Sequence, residues 1–244
     1  MSHPPPFEAR LVCARSLTPS VRELTFERVD GAPMVFEPGQ FVSSVFPADD
    51  GAFVKRSYSL ASRPDGSSRF ELAVTHVRGG PGSTWLHGAP LGTVLRFTGP
   101  QGVFTRPAVD GPPSLLIATG TGVAPMRSMI LAAIASGSVA PVWLLLGVRH
   151  QSDILYAEEF SALARGNRHL RIEITLSQPE GDWTGRRGYV QEHVRELFPA
   201  LVAVAEVPPH AYVCGLERMV HAVRDVLRGD LALPRSVVHG ERYD

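Results

Sequence analysis

Cysteine is nearly absent from this sequence of 244 residues: Cys13 and Cys214 are the two, and they lie far apart. That excludes a disulfide framework, a zinc cluster and a cysteine-ligated iron–sulfur centre, and it suits a reducing cytoplasm. Net charge is lacking as well. Lys and Arg together number 24, as do Asp and Glu, so no bulk attraction to nucleic acid or membrane is expected, and any electrostatic docking has to come from a local patch. No apolar run is long enough to span a bilayer, and the opening Met1-Ser2-His3-Pro4-Pro5-Pro6 has neither the basic nor the apolar region of a signal peptide. Those first residues read as a loose tail. Internal repeats and low-complexity tracts are missing too. What is present, with 44% apolar and 20% charged residues, is a globular chain long enough for one large domain or two ordinary ones.

From Phe7 to about Arg106 the text consists of short β-like runs, such as Glu23 to Glu27 and Thr93 to Phe97, broken by Gly and Pro turns. Many brief strands with regular turn signals predict an antiparallel barrel or sandwich. One helix is expected within it, Ser83 to Gly88, capped by Ser83 or Thr84. The stretch Pro107 to Pro113, rich in Pro, Gly and Asp, reads as a linker, and the boundary is placed between residues 109 and 110. Beyond it the period changes. Strands at Ser114 to Ala118, Val142 to Gly147, Leu170 to Leu176 and Ala211 to Gly215 alternate with helices at Met126 to Ser136, Tyr156 to Arg165, Tyr189 to Leu197 and Glu217 to Arg228. A final extended piece covers Ser236 to His239. Such alternation specifies a parallel sheet covered on both faces.

Two stretches carry chemistry on their own residue types. Arg56-Ser57-Tyr58-Ser59 lies between strand-like runs, and an extended segment sends alternate side chains to opposite faces, pairing Arg56 with Tyr58 and Ser57 with Ser59. A guanidinium for a pyrophosphate and a phenol ring for a flat heterocycle would suit a phosphorylated planar cofactor; an ordinary amphipathic strand is the alternative. Gly120-Thr121-Gly122-Val123-Ala124-Pro125 joins a buried strand to a helix, where glycines admit a phosphate to the backbone and the helix dipole favours its charge. It is not the G-x-G-x-x-G fingerprint, and no acidic residue ends the next strand; Arg149 stands in that region.

The order of motifs, Arg56 to Ser59, Gly80-Pro81-Gly82-Ser83, Gly99 to Phe104, Gly120 to Pro125, Cys214-Gly215 with Met219, then Glu241-Arg242-Tyr243, resembles the ferredoxin–NADP reductase family across nearly the whole chain. The resemblance implies an FAD-binding β-barrel domain over 1–109 and an NAD(P)-binding α/β domain over 110–244. It implies that Arg56, with Gly82, Ser83 and Thr84 at the helix start, holds the flavin pyrophosphate. Ser57 and Tyr58 would line the flavin site, Tyr58 packing on the isoalloxazine, and Ser59 would reach the flavin near N5. Thr119, Gly120, Thr121 and Gly122 would take the pyrophosphate of the nicotinamide nucleotide. Cys214 would help to place the nicotinamide, not act as a nucleophile. Glu241 and Tyr243 correspond to the family's terminal carboxylate and its stacking aromatic, although here Asp244 follows the aromatic. Ser177, Arg187 and Tyr189 fall where the family binds the 2′-phosphate end, and Arg149, on its residue type, suits a phosphorylated nucleotide at least as well as a plain one. The position after Ser177 is Gln178 and not arginine, so NADP(H) is the expected nucleotide with NAD left open.

The implied activity is hydride exchange with NADPH and single-electron exchange with ferredoxin or flavodoxin as a separate protein, by a cytoplasmic enzyme expected to be monomeric. A reductase component of an oxygenase system, using NADH, and a non-catalytic flavoprotein subunit of a larger redox complex are the alternatives. The family resemblance carries no metal site.

Overall fold

The computed structural model describes residues 5–47 and 51–243. Its first half is an antiparallel sheet of six strands, β1 (Phe7–Thr18), β2 (Val21–Arg28), β3 (Phe41–Pro47), β4 (Phe53–Ser59), β5 (Arg69–Thr75) and β6 (Val94–Gln101), in the order β4-β3-β6-β1-β2-β5. Period two is the reason it holds. Phe7, Ala9 and Leu11 on β1, Leu24 and Phe26 on β2, Phe70 and Leu72 on β5, and Leu95 and Phe97 on β6 all point to one buried face. Four phenylalanines fill its centre, with Phe26 and Phe70 5.1 Å and 5.3 Å from the Phe97 ring and Phe7 at 5.8 Å. The edge strands β4 and β5 approach each other through an isolated antiparallel bridge between Leu60 and Leu72.

Between β5 and β6 lies helix α1 (Pro81–Gly88). It starts two residues earlier than the sequence predicts and has no side-chain cap. Proline at its first position, with φ already set for a helix, does the work that Ser83 or Thr84 was expected to do. Ser83 Oγ instead accepts from the Val77 N–H at 3.1 Å and donates to the Gly80 carbonyl at 3.0 Å, stitching the preceding turn.

The second half is a parallel sheet of six strands, β7 (Ser114–Thr119), β8 (Val142–Val148), β9 (Leu170–Leu176), β10 (Arg186–Arg187), β11 (His210–Leu216) and β12 (Val238–Tyr243), in the order β10-β9-β8-β7-β11-β12. Helices α2 (Val123–Ala135) and α3 (Ala157–Gly166) cover one face, and α4 (Val190–Val204) and α5 (Glu217–Asp225) the other. Successive strand residues alternate between the two layers: Leu116, Ala118, Leu144 and Leu146 pack with Met126, Met129 and Phe160, while Leu115, Ile117, Leu145 and Val213 pack with Val194, Leu197 and Val220. The chain winds outward from β7 to β9 and then returns to β11 on the other side, so the strand order reverses between β7 and β11. In open α/β sheets ligands bind in the crevice beyond the carboxyl ends at such a reversal.

Other boundaries also move from the sequence expectation. Helix α4 runs to Val204, past the expected end at Leu197 and through Pro199, because Phe198 and Leu201 stay buried against the sheet on either side of the proline. Helix α2 begins at Val123, not Met126, since the glycine turn before it is itself a 3-10 turn that feeds the helix. The last extended piece is longer and later than expected, carrying β12 through Tyr243. The two halves share a core: Val21, Ala61, Ala73 and Phe104 of the first pack in one buried cluster with Val123, Met126 and Met129 of the second. Among the described residues no helix is long and apolar enough to cross a membrane, and no three His, Cys, Asp or Glu come together as metal ligands.

Candidate active site

A cleft of about 1430 Å³ opens between the two sheets, bounded by β4, the start of α1, the β7–α2 turn and the carboxyl ends of β8, β9, β11 and β12. It exceeds the roughly 300–1,000 Å³ of an ordinary small-ligand pocket, so it has room for more than one ligand.

Strand β4 forms one wall. Ser57 Oγ lies 2.8 Å from Ser43 Oγ on β3, its register partner. Tyr58 stands edge-on to Phe46, ring centres 6.3 Å apart, and burial pushes its hydroxyl up to about 12, so the phenol stays neutral. Helix α1 packs directly onto this strand at Gly82, where a Cβ would meet Arg56 Cγ and the Phe46 ring at 3.0 Å and the Tyr58 hydroxyl at 3.1 Å. The glycine therefore brings the first turn of α1, with its free N–H groups, beside the Arg56 side chain. Arg56 is exposed, and Nη1 donates to the neighbouring Lys55 carbonyl at 2.9 Å.

The opposite wall is the β7–α2 turn. Gly120 has φ +52°, and at Gly122 a Cβ would sit 2.3 Å from the Cys214 carbonyl oxygen. This second glycine lets the turn rest on the end of β11. Gly122→Ala puts a methyl against backbone that cannot swing away, and a loss of about 1–3 kcal/mol is expected in chemical denaturation. Thr119 Oγ1, buried at the end of β7, has no hydrogen-bond partner among the described residues, and Gly215 leaves it space, since a Cβ there would come within 2.3 Å. Thr121 Oγ1 accepts a 3.2 Å hydrogen bond from Thr75 Oγ1 on β5, so that threonine ties the two halves together.

The walls meet at Ser59. Tyr243 Oη donates to Ser59 Oγ at 2.6 Å, and Ser59 Oγ donates to Glu241 Oε1 at 3.1 Å. Register places Cys214 opposite Glu241. Burial, with the Glu241 carboxylate adding to it, holds the Cys214 thiol far above its ordinary value, so it stays protonated. Burial likewise raises Glu241, against the donation from Ser59, and raises the Tyr243 hydroxyl strongly. A protonated, fully buried thiol has packing to offer here, not nucleophilicity.

The far end of the cleft is lined by Arg149 after β8, Ser177 and Gln178 after β9, and Gly188, Tyr189 and Gln191 at the start of α4. Arg187 does not line it; its guanidinium donates to the Trp183 carbonyl at 2.9 Å. Arg186 is engaged by Glu173 at 2.8 Å and Glu196 at 2.7 Å.

Of the residues singled out in the sequence, Arg56, Ser57, Tyr58, Ser59, Gly82, Ser83, Thr119, Gly120, Thr121, Arg149, Ser177, Tyr189, Glu241 and Tyr243 line this one cleft. Thr84 is exposed outside it, Gly122 and Cys214 lie beneath its surface, and Arg187 faces away. Asp244 lies outside the described residues. Sequence reading missed Lys55 and Arg218, two cations on the lining, and Thr18, Ser20 and Val21 at the β1–β2 turn. Lys55 adjoins a recognised motif and could have been found from it. The turn residues reach the cleft only because the two halves dock, which no local pattern encodes.

Residues 8–105 match the family described as the oxidoreductase FAD-binding domain, and residues 116–225 the oxidoreductase NAD-binding domain. Fold and cleft together define a two-domain flavin-dependent oxidoreductase that binds FAD and NADP(H). The chain is 54% identical over 240 residues to ferredoxin–NADP reductase B of Sorangium cellulosum, covering 98% of each protein. It is 28% identical to the phenol hydroxylase P5 protein of Acinetobacter pittii, with 97% of this chain matching 65% of that one. Among solved structures, the Amycolatopsis cytochrome P450 reductase GcoB superposes with a TM-score of 0.84 at 28% identity, over 99% of this chain and 71% of that one. A ferredoxin NADP+ reductase from Neisseria gonorrhoeae shares the fold, with a TM-score of 0.80 at 19% identity over 97% of this chain and 98% of that one. The chain belongs to the ferredoxin–NADP reductase family. Its residues fit the two cofactors: a glycine cradle at Gly82 beside an exposed arginine suits one pyrophosphate, and the turn at Gly120 and Thr121, feeding α2, suits a second.

Proposed function

We propose that the protein takes hydride from NADPH and delivers single electrons to a separate ferredoxin or flavodoxin. The observation that carries this is the junction at Ser59, where the last residue of β4 bonds side chains from β12 directly above a buried cysteine. FAD bound along β4 supplies the conversion between a two-electron and a one-electron donor. The chain supplies placement. Arg56 and the first turn of α1 hold a pyrophosphate; Tyr58 offers its ring to one face of the flavin, and Ser57 lines the site. Ser59 aims its hydroxyl at the reacting edge. Tyr243 fills the place that the nicotinamide has to enter, tethered by its hydrogen bond to Ser59, which can be broken and remade. Glu241 holds the serine, and Cys214 keeps the floor apolar and dry. Thr119, Gly120 and Thr121 receive the nucleotide's pyrophosphate side on the turn that Gly122 seats from beneath, and Arg149 with Ser177 and Tyr189 take its adenosine end.

This reading has structural corollaries. The antiparallel sheet wraps into a barrel, in keeping with the Leu60–Leu72 bridge between its edge strands, and the domains divide at 109/110 inside the loop that Arg106 gathers up. The enzyme works as a cytoplasmic monomer, in keeping with two free cysteines. The similarity to the phenol hydroxylase P5 protein keeps service to an oxygenase as a second reading. Anaerobic stopped-flow mixing of the yellow protein with NADPH tests the proposal: loss of the flavin absorbance is expected, and an unbleached flavin would refute it. Turnover with added ferredoxin or flavodoxin, compared with an oxygenase component, separates the two carriers.

A further inference from the structure

Arg127, on α2 one turn past the glycine motif, is buried, and its guanidinium crosses into the other half of the molecule. Nη1 donates to the Ala61 carbonyl at 2.9 Å and to Glu71 Oε2 on β5 at 2.6 Å. Nε donates to Glu159 Oε2 on α3 at 2.9 Å, and Glu23 Oε2 on β2 lies 3.9 Å away. The guanidinium carbon sits 4.6 Å over the Tyr156 ring. Tyr156 holds that ring in place from a left-handed backbone, φ +58°, a conformation unfavourable for a bulky residue that the surrounding packing has to enforce. A buried ion cluster is not in itself more stabilising than apolar packing, but it fixes register, because breaking one partner strands a charge.

The position of this cluster gives it a role. Ala61 stands two residues after Ser59, and α2 begins immediately after Gly122, so Arg127 grips both walls of the cleft within a few residues of the groups that face each other across it. At no more than about 3.3–3.6 Å of reach per residue, little slack separates the grip from the site. The Thr75–Thr121 hydrogen bond ties the same two walls a second time. Arg127 itself does not line the cleft.

We infer that Arg127 is a positioning residue for hydride transfer: it clamps the β4–β5 corner to α2 and so sets the gap between the flavin and nicotinamide sites. The inference rests on the function proposed above. It is tested on the FAD-loaded protein with Arg127→Met, Arg127→Lys and Glu71→Gln, and with Arg171→Met, on the outer side of β9, as a control. In Arg127→Met, reduction of the flavin by NADPH should slow about tenfold with the half-saturating NADPH concentration held within about twofold, the pattern expected of lost alignment. Arg127→Lys should recover part of the rate. Thermal unfolding should change from one transition to two, and amide exchange should quicken in residues 60–62 and 120–123. Should Arg127→Met fail to retain flavin, Glu71→Gln decides by the same readouts, since it removes one charge without changing shape. Wild-type reduction rates in the variants, or an equal slowing in Arg171→Met, would overturn the positioning role alone. A wild-type flavin that NADPH does not bleach would overturn the proposed function and this inference with it.

Discussion

Replacing Ser59 with alanine is expected to slow reduction of the flavin by NADPH by about a hundredfold, the cost typical of a reacting group displaced by about an ångström, with little change in nucleotide affinity. The serine hydroxyl joins β4 to β12 in the cleft: it accepts from Tyr243 at 2.6 Å and donates to Glu241 at 3.1 Å. Without it a carboxyl and a phenol are left without that partner, each at about 1–3 kcal/mol if no water replaces it, and Tyr243 loses the tether that returns it to one place. The change also has a pH signature. Glu241 already titrates above its ordinary 4.5 because burial outweighs the serine's donation. An acid whose folded pKa is raised keeps a proton that the unfolded chain has released, so stability falls as pH rises from the unfolded value to the folded one, then levels off. Removing the donation raises the folded value further, which extends that fall upward. The difference in melting temperature between wild type and Ser59→Ala should therefore widen from mildly acidic to neutral pH; a constant difference would mean that Glu241 is not coupled to Ser59.

Much of this arrangement could be read from the residues because it depends on local pattern. Alternation in β1, β2, β5 and β6 follows the pleat, and the uninterrupted apolar runs of β7 and β8 belong to strands covered on both sides. Gly120 and Gly122 stand out as a glycine turn between a strand and a helix, and the structure uses the second of them to seat that turn on the Cys214 carbonyl. What could not be read depends on distant parts of the chain. Arg106, fully buried, turns the Pro107–Pro113 linker into a closed loop through Ser114 Oγ at 2.8 Å and the Pro112 carbonyl at 2.8 Å; nothing beside it in the sequence marks it out. The run past Pro199 in α4 likewise depends on apolar contacts with a sheet strung elsewhere along the chain. At the far end of the cleft the resemblance pointed to Arg187, and folding gave its guanidinium another partner, the Trp183 carbonyl.

That last point separates two arginines experimentally. Arg149 lines the cleft and makes no ion pair among the described residues, whereas Arg187 is turned outward onto the Trp183 carbonyl. A guanidinium on a phosphate is worth about 1.5–3 kcal/mol, and 1.4 kcal/mol is a factor of ten in binding. Arg149→Ala should therefore raise the half-saturating concentration of NADPH about tenfold to a hundredfold, while NADH, which lacks the 2′-phosphate, should shift by no more than about twofold because nothing charged is lost opposite its ribose. Arg187→Ala should leave both nucleotides within about twofold, since its side chain contributes a surface hydrogen bond and not a cleft cation. The measurement is steady-state turnover of the two nucleotides with one artificial acceptor for both variants. The opposite ranking, with Arg187→Ala the one that selectively weakens NADPH, would require Arg187 to leave Trp183 and swing into the cleft when the nucleotide binds. The segment from Arg187 to Gln191 would then be the moving part of the site, and Arg149 a bystander at its rim.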